Sequence, residues 1–398
     1  MHAWVLVVVA LAGVGCGGGS GRPRATASPS ATKTPVAARA SVPVVAGPWS
    51  APVKARRTPL RCPVSSSRAG WPSRVLALGD GTYVKVWGRR PRLATVDARG
   101  HLLGQTELGA RRVSGERALA CGRGGQTAVA WTEYRRDGTA ALKLARRGDA
   151  VTLDVVRGFY DDLPIGDVTL AFAPDGSLLV AYSIFHEVRA VVVAPSGDPG
   201  APFKLGPAFE VTQVAAEIAA NGRAVIAWTT IDAGEERNEH RRVYAVTGRL
   251  EALAPAQLVH RAAHLNAMAM TGQPGTELRL SVARNGRALL LWGLDHPEQF
   301  SESYSLWVAE AGPAGSFGRS RQLVGNGVPG DVAMRSDGTA LAVWTNSAGL
   351  RASVHAPGRR FTAREPVLDG RIGEPRASFV DVRPRIAWEN AFSVRAAP

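Results

Sequence analysis

Carboxylates are missing from the first stretch of this chain: residues 1 to 79 hold ten Lys and Arg and no acid, the first being Asp80. Catalytic signatures are missing throughout. There is no His-Glu-x-x-His, no paired Cys-x-x-Cys, no Gly-x-Ser-x-Gly elbow and no P-loop, so zinc hydrolase, serine esterase and nucleotide-binding readings lose their usual support. The apolar run that opens the chain, Ala3 to Ala12, falls short of the roughly 20 residues a bilayer-spanning helix needs. Hydrophobic residues at 45% and charged residues at 20% are ordinary globular values, which excludes wholesale disorder and a polytopic membrane protein.

The formal net charge of +15 invites a nucleic-acid reading, but residues 80 to 398 hold 38 basic and 33 acidic residues, so the body is only +5. A nucleic-acid binder carries its basic stripe on the folded surface, whereas a basic leading segment suits anionic lipid head groups or polyanionic wall polymers. Nucleic acid is therefore not expected as a partner. The run Ala3 to Ala12 has the length of a secretory h-region, and small residues follow it. Gly13, Val14, Gly15 and Cys16 then resemble the end of a bacterial lipoprotein signal, in which the cysteine becomes the lipidated first residue, although Gly13 stands where Leu is usual. From Gly17 to about Val45 the chain is Gly, Ser, Thr, Pro, Ala and Arg without an aromatic residue, a composition that cannot offset its ordering entropy and reads as a tether. The expected organisation is a signal peptide over 1–15, a lipid-attachment site and linker over 16–58, and a folded body over 59–398.

The body repeats. A turn of Asp or Asn followed by Gly is succeeded by five mostly apolar residues and then an aromatic six positions after the Gly: Gly81 to Trp87, Gly125 to Trp131 (after Gly124), Gly176 to Tyr182, Gly222 to Trp228, Gly286 to Trp292 and Gly338 to Trp344. A worn copy runs from Asp381 and Val382 to Trp388. The aromatic-to-aromatic steps are 44, 51, 46, 64, 52 and 44 residues, the length of a four-stranded propeller blade. Runs such as Ala224 to Trp228 are apolar on both alternating faces, as strands covered on both sides are. The Asx-Gly pairs supply the positive φ that tight hairpins demand. At one strand position in every copy, the aromatics are best read as wedges between adjacent blades rather than exposed stacking rings.

On these residues, Arg74 to Ala396 resembles bacterial seven-bladed β-propellers with a Gly-turn and Trp signature, of the kind found on exported lipoproteins and, more loosely, TolB-type domains. The resemblance implies an all-β seven-bladed propeller of four-stranded blades, closed by an N-terminal strand. The last copy ends one strand short, and counting back from Arg74 puts the closing strand at Leu60 to Ser66, which would also cover a sheet edge. Besides Cys16, one disulfide between Cys62 and Cys121 fits an exported chain. That strand assignment, however, would hold the two beyond the roughly 7 Å a disulfide spans, so free thiols remain the other reading.

Chemistry concentrates in the connections opposite the Gly turns. The loop of blade 4 carries Asp232, Glu235, Glu236, Glu239 and His240, that of blade 5 carries Asp295, His296 and Glu298, and His260 and His264 lie in the connection between them. Together they would form an acidic, His-bearing rim able to bind a cation or a cationic ligand, the alternative being solvated loops that keep the surface soluble. The inner strands offer mainly Glu217, too little for a catalytic channel. The expectation is an exported, lipid-anchored, monomeric binding or scaffold module at the cell surface. Its ligand would be a protein, glycan or small molecule, and no catalytic residue, metal or cofactor is implied. The alternative is an extracytoplasmic hydrolase or lyase using the same rim.

Overall fold

The structure, a computed structural model, describes Trp49, residues 53–54 and residues 73–394 apart from connecting segments, the longest being 158–164, 267–277 and 296–303. The described residues form β-strands and turns, with no helix among them. After the two-residue β1 (Val53–Lys54) comes a sheet of β2 (Ser73–Ala77), β3 (Tyr83–Trp87), β4 (Arg92–Val96) and β5 (Leu102–Glu107). The next holds β6 (Val113–Cys121), β7 (Thr127–Tyr134), β8 (Thr139–Arg146) and β9 (Asp149–Arg157), and a third holds β10 (Val168–Phe172), β11 (Leu178–Ile184), β12 (Glu187–Val193) and β13 (Phe203–Pro207).

A five-stranded sheet follows: β14 (Glu210–Ile218), β15 (Arg223–Ala233), β16 (Asn238–Arg249) and the short β17 (Ala252–Leu253), with β18 (Gln257–Asn266) also pairing with β16. A seven-stranded sheet runs β19 (Leu278–Val282), β20 (Ala288–Asp295), β21 (Tyr304–Ala311), β22 (Arg321–Met334), β23 (Ala340–Asn346), β24 (Gly349–His355) and β25 (Glu365–Asp369). Its long β22 pairs with β21 through its first half and with β23 through its second. The last sheet is β26 (Arg376–Val380), β27 (Arg383–Trp388), β28 (Ala391–Val394) and β1. All pairings are antiparallel, and β2, β6, β10, β14, β19, β22 and β26 each lie beside the next of these strands.

The periodic turns have one geometry. Ala173 N–H donates to Ser177 O at 2.8 Å, Gly176 N–H donates to Ala173 O at 3.0 Å, and Ser177 N–H donates to the Asp175 carboxylate at 2.9 Å. Gly176 sits at φ +89. This is a type I turn closed by a left-handed residue, a conformation for which glycine has no steric cost. The same backbone bonds recur at Ala219–Arg223, Ala283–Arg287 and Arg335–Thr339.

The register aromatics fill the space between sheets. Tyr182, Trp228 and Trp292 are fully buried and Trp344 nearly so. Trp228 packs among Leu179, Ala181, Ala190 and Leu205 of the preceding sheet and Val214, Ile226 and Val246 of its own. Trp292 does the same between Val225, Ala227 and Val243 on one side and Leu280 and Leu290 on the other. The backbone makes room for the rings: a Cβ on Gly206 would lie 2.7 Å from the Trp228 ring, and one on Gly327 would lie 2.7 Å from Trp344. Truncating such a ring to Ala is worth about 3–5 kcal/mol.

The N-terminal strand on the last sheet differs in position from the one expected. Val53 and Lys54 pair with Phe392 and Ala391 of β28, whereas Leu60 to Ser66 fall outside the described residues. Trp49 is 3% exposed, packs with Leu341, Val367 and Ile386, and donates its indole N–H to Glu365 at 2.9 Å. Trp49 and β1 lie within the stretch read as linker, 16–58.

Candidate functional site

Each antiparallel sheet has two ends. The Asx-Gly turns and the connections between third and fourth strands lie at one, and the connections between second and third strands at the other. The rim residues belong to the second end, but several of them stand on strands rather than in loops. Strands β15 and β16 run 11 and 12 residues and place Asp232 opposite His240 and Ala233 opposite Glu239. Strand β18 joins their outer edge, with Leu265 opposite Glu239, which brings His264 to the same end. Asp295 closes β20 opposite Tyr304. The backbone therefore gathers Asp232, Glu239, His240 and His264 on one three-stranded edge. Glu235, Glu236, His296 and Glu298 lie outside the described residues, as do Cys16 and Cys62; Cys121 is the last residue of β6.

His260 departs from the expectation. It stands in β18 rather than in a loop, half-buried, with Nδ1 2.8 Å from Ser320 Oγ and its ring 4.5 Å from Trp307 and 5.4 Å from Trp292. Burial holds its imidazole below the ordinary value, so it is neutral at pH 7. On a strand, residues four apart are about 13 Å from one another, so His260 and His264 do not form the helix-face ligand pair that their spacing would allow. Among the described residues no three His, Cys, Asp or Glu side chains are grouped to hold a metal ion.

The inner strands reveal what sequence reasoning missed. Asp167 accepts Val214 N–H at 2.6 Å, Glu217 accepts Val282 N–H at 2.6 Å, and Asp331 accepts Ala377 N–H at 2.9 Å. Gln213 accepts Leu278 N–H, and Ser281 accepts Met334 N–H at 3.1 Å. Side chains on or just before β10, β14, β19 and β22 thus satisfy N–H groups of the neighbouring β14, β19, β22 and β26, where an unpaired group would carry a full desolvation penalty. The signal was present in the sequence: Asp167 and Gln213 both stand nine residues before their turn glycine, and Glu217 and Ser281 five before. Glu217, the one channel acid singled out, is a bridge between sheets.

Other ionisable groups are similarly engaged. The Tyr182 hydroxyl donates to Asp154 on β9 of the preceding sheet at 2.5 Å, and Arg189 joins Asp154 at 3.2 Å and Glu187 at 2.5 Å. Burial first, and then the Asp154 carboxylate, push the Tyr182 phenol well above its ordinary range. Glu310 meets both Arg321 and the buried His355, the latter at 3.2 Å. Burial alone would raise the Glu310 carboxyl, but the His355 and Arg321 contacts outweigh it and hold the group below its ordinary value. A cleft of about 480 Å³ opens at the Gly-turn end, between the Ala173–Ser177 and Ala219–Arg223 turns, with Leu250 and Glu251 on its wall.

No family model matches the chain, and no curated protein matches it either. Among solved structures, the chain is similar to the polysaccharide lyase Uly1 at 9% identity, covering 85% of this chain and 93% of that one, with a TM-score of 0.49. It is similar to an ulvan lyase of polysaccharide lyase family PL25 at 9% identity over 79% and 89% of the two chains, with a TM-score of 0.47. The Dos1 propeller is a third such structure, at 10% identity over 79% of this chain and 75% of that one, with a TM-score of 0.44.

Proposed function

We propose that the chain is a seven-bladed β-propeller acting as an exported binding module, with its ligand site on the rim formed by β15, β16, β18 and the β20–β21 connection. In this reading β22 serves as the outer strand of one blade and the inner strand of the next, and β1 completes the last. The observation that carries the functional part is the use of Asp167, Gln213, Glu217 and Asp331 as bonds to the neighbouring sheet. Side chains fixed in that way hold the sheets in register and leave the inner strands poor in free acids or bases, which weighs against a catalytic channel. Recognition then falls to the end where strands overrun the body, where Asp232, Glu239, His240 and His264 share one three-stranded edge and Asp295 closes β20. Oxygen and imidazole donors of that kind suit a divalent cation or a cationic ligand.

Melting the chain with increasing Ca²⁺ or Zn²⁺ tests this, because binding to the folded state alone raises the melting temperature with ligand concentration. The shift should vanish in the variant carrying Glu235→Gln, Glu236→Gln and Glu298→Gln. A shift that persists there and also with Asp232→Asn, Glu239→Gln and His240→Gln, or none with either ion, removes the rim as a cation site. Export with lipid attachment at Cys16 is the second part of the proposal. Cys16→Ser should move the protein from the membrane to the soluble fraction in high salt, where charge attraction to lipid is screened, since the run Ala3 to Ala12 is too short to span a bilayer.

A further inference from the structure

The Gly-turn end of the later sheets carries an unbalanced charge that the rim reading does not use. Arg284 lies in the turn between β19 and β20, Arg319 between β21 and β22, Arg359 and Arg360 between β24 and β25, and Arg383 at the turn between β26 and β27. All five are exposed, and none has a carboxylate partner among the described residues. Arg189, by contrast, is paired with Asp154 and Glu187, and Arg351 with Asp369. Among the described acids at this end, Asp337 is held by Arg335 at 3.2 Å and Glu310 by His355 and Arg321, while Asp381 lies outside the described residues.

These turns form one continuous surface. Asn285 donates to Ser336 O at 2.6 Å and Arg335 to Val382 O at 3.5 Å, so the turns of three successive first-strand hairpins touch. The outer connections join the same surface. A Cβ on Gly286 would meet Pro313 O at 2.8 Å, and one on Gly338 would meet Pro357 at 3.5 Å. The exposed residues between the arginines are small: Pro313, Ala314, Gly315 and Ser316 on one connection, Ala356, Pro357 and Gly358 on the other. The corresponding turns of the third and fourth sheets carry exposed Asp175, Asp198 and Glu251 beside a single exposed arginine, Arg249, so the basic excess is concentrated on the later sheets.

We propose that this arginine surface lies against an anionic lipid bilayer, contacting lipid phosphates and turning the acidic rim, at the opposite end of the sheets, away from the membrane. A bilayer is favoured over a compact ligand because the surface is broad and built of short turns, and because residues 1 to 79 are basic without a single acid and are attracted to the same surface. A basic residue near such a membrane contributes about a fivefold gain in binding, falling off within a Debye length as salt rises.

The test uses the full chain with Cys16→Ser, so that no lipid can carry the binding, and follows its flotation with vesicles of phosphatidylcholine alone or mixed with phosphatidylglycerol. Binding should require phosphatidylglycerol and fall with added salt. Replacing Arg284, Arg319, Arg359, Arg360 and Arg383 by Gln should weaken it by tenfold or more at an unchanged melting temperature. A second variant, with Arg22, Arg24, Lys33 and Arg39 replaced by Gln, should lose only the share due to the tail. Should the five-residue variant melt early, Arg359→Gln with Arg360→Gln, on one exposed connection, takes its place, and a loss of several-fold is expected. The proposal is overturned if the surface variants bind like the parent, if pure phosphatidylcholine binds equally well, or if soluble polyphosphate is bound while vesicles are not.

Discussion

The two ends of the sheets are built on different principles. At the Gly-turn end, each repeat hands a hydrogen bond to the next: Asn221 donates to Asn285 O at 2.9 Å, Asn285 donates to Ser336 O at 2.6 Å, and the buried Arg223 reaches Gly286 O at 2.6 Å as well as Gly312 O and Gly315 O. At the other end, the hairpins differ in length from sheet to sheet, and the longest one gathers acids and histidines. The contrast shows why one end repeats in sequence and the other does not. A belt of bonds between neighbours fixes residue type at each step, whereas connections outside such a belt are free to vary and to carry recognition.

The sharpest way to break that contrast is to cut the belt at Arg223. Its guanidinium is buried and donates to three carbonyls from two connections, and hydrogen bonds to charged groups contribute about 1.5–3 kcal/mol each. Arg223→Met keeps the apolar stem while orphaning the carbonyls, so it should cost roughly 3 kcal/mol or more in urea unfolding. A loss under about 1 kcal/mol would show that the turns hold their places without the belt.

A smaller effect separates turn geometry from turn contact. Gly222 and Gly286 have nearly the same φ, +81 and +88, yet a Cβ on Gly222 meets nothing within 4 Å while one on Gly286 meets Pro313 O at 2.8 Å and Arg223 Cδ at 3.0 Å. Gly222→Ala should therefore cost only the left-handed strain of about 1–2 kcal/mol, and Gly286→Ala distinctly more. Equal losses would mean that the neighbouring connection yields freely.

Much of this organisation is legible in the sequence, for a physical reason. Asx-Gly turns, apolar runs and buried aromatics each answer to a local requirement, and those requirements recur at a fixed offset. What escaped depends on partners far along the chain. The two residues of β1 have no periodicity of their own and are ordered by Phe392 and Ala391 across the sheet. His260 reads as a loop histidine because nothing in its neighbours announces that β18 packs it on Trp307. Glu217 reads as a candidate acid because the N–H it accepts belongs to Val282, 65 residues later. The rim was legible as composition, but the extension of β15 and β16 that places Asp232 across from His240 was not, since a run of polar residues leaves no apolar alternation to read.

Acid should reveal a contact between strands of the seven-stranded sheet that do not pair directly. Glu310 on β21 meets His355 on β24 and is held below the ordinary 4.5 of its side chain. A depressed carboxyl contributes stability that is fully present above that ordinary value and is lost as pH falls through the lower folded value. Glu310→Gln should therefore narrow its stability difference from the parent between pH 6 and pH 3, by about 1 kcal/mol or less for a partly exposed group. A difference that stays constant across that range would assign the role of Glu310 to packing.

The smallest effect is expected at the rim, and it decides what the rim is for. Glu239→Gln with His240→Gln changes two neighbouring residues of β16 near the tip of its hairpin with β15, and such surface changes ordinarily lie within about 0.5 kcal/mol. The backbone ladder there runs through Ala233 and Glu239 to Leu265 and needs neither carboxylate nor imidazole. If the pair of substitutions leaves the urea midpoint unchanged while reducing the cation-dependent rise in melting temperature, the side chains are held for a ligand rather than for the fold. A loss above about 1 kcal/mol would place Asp232, Glu239 and His240 in the same class as Asp167 and Glu217, as groups spent on joining strands, and recognition would have to be sought away from this edge.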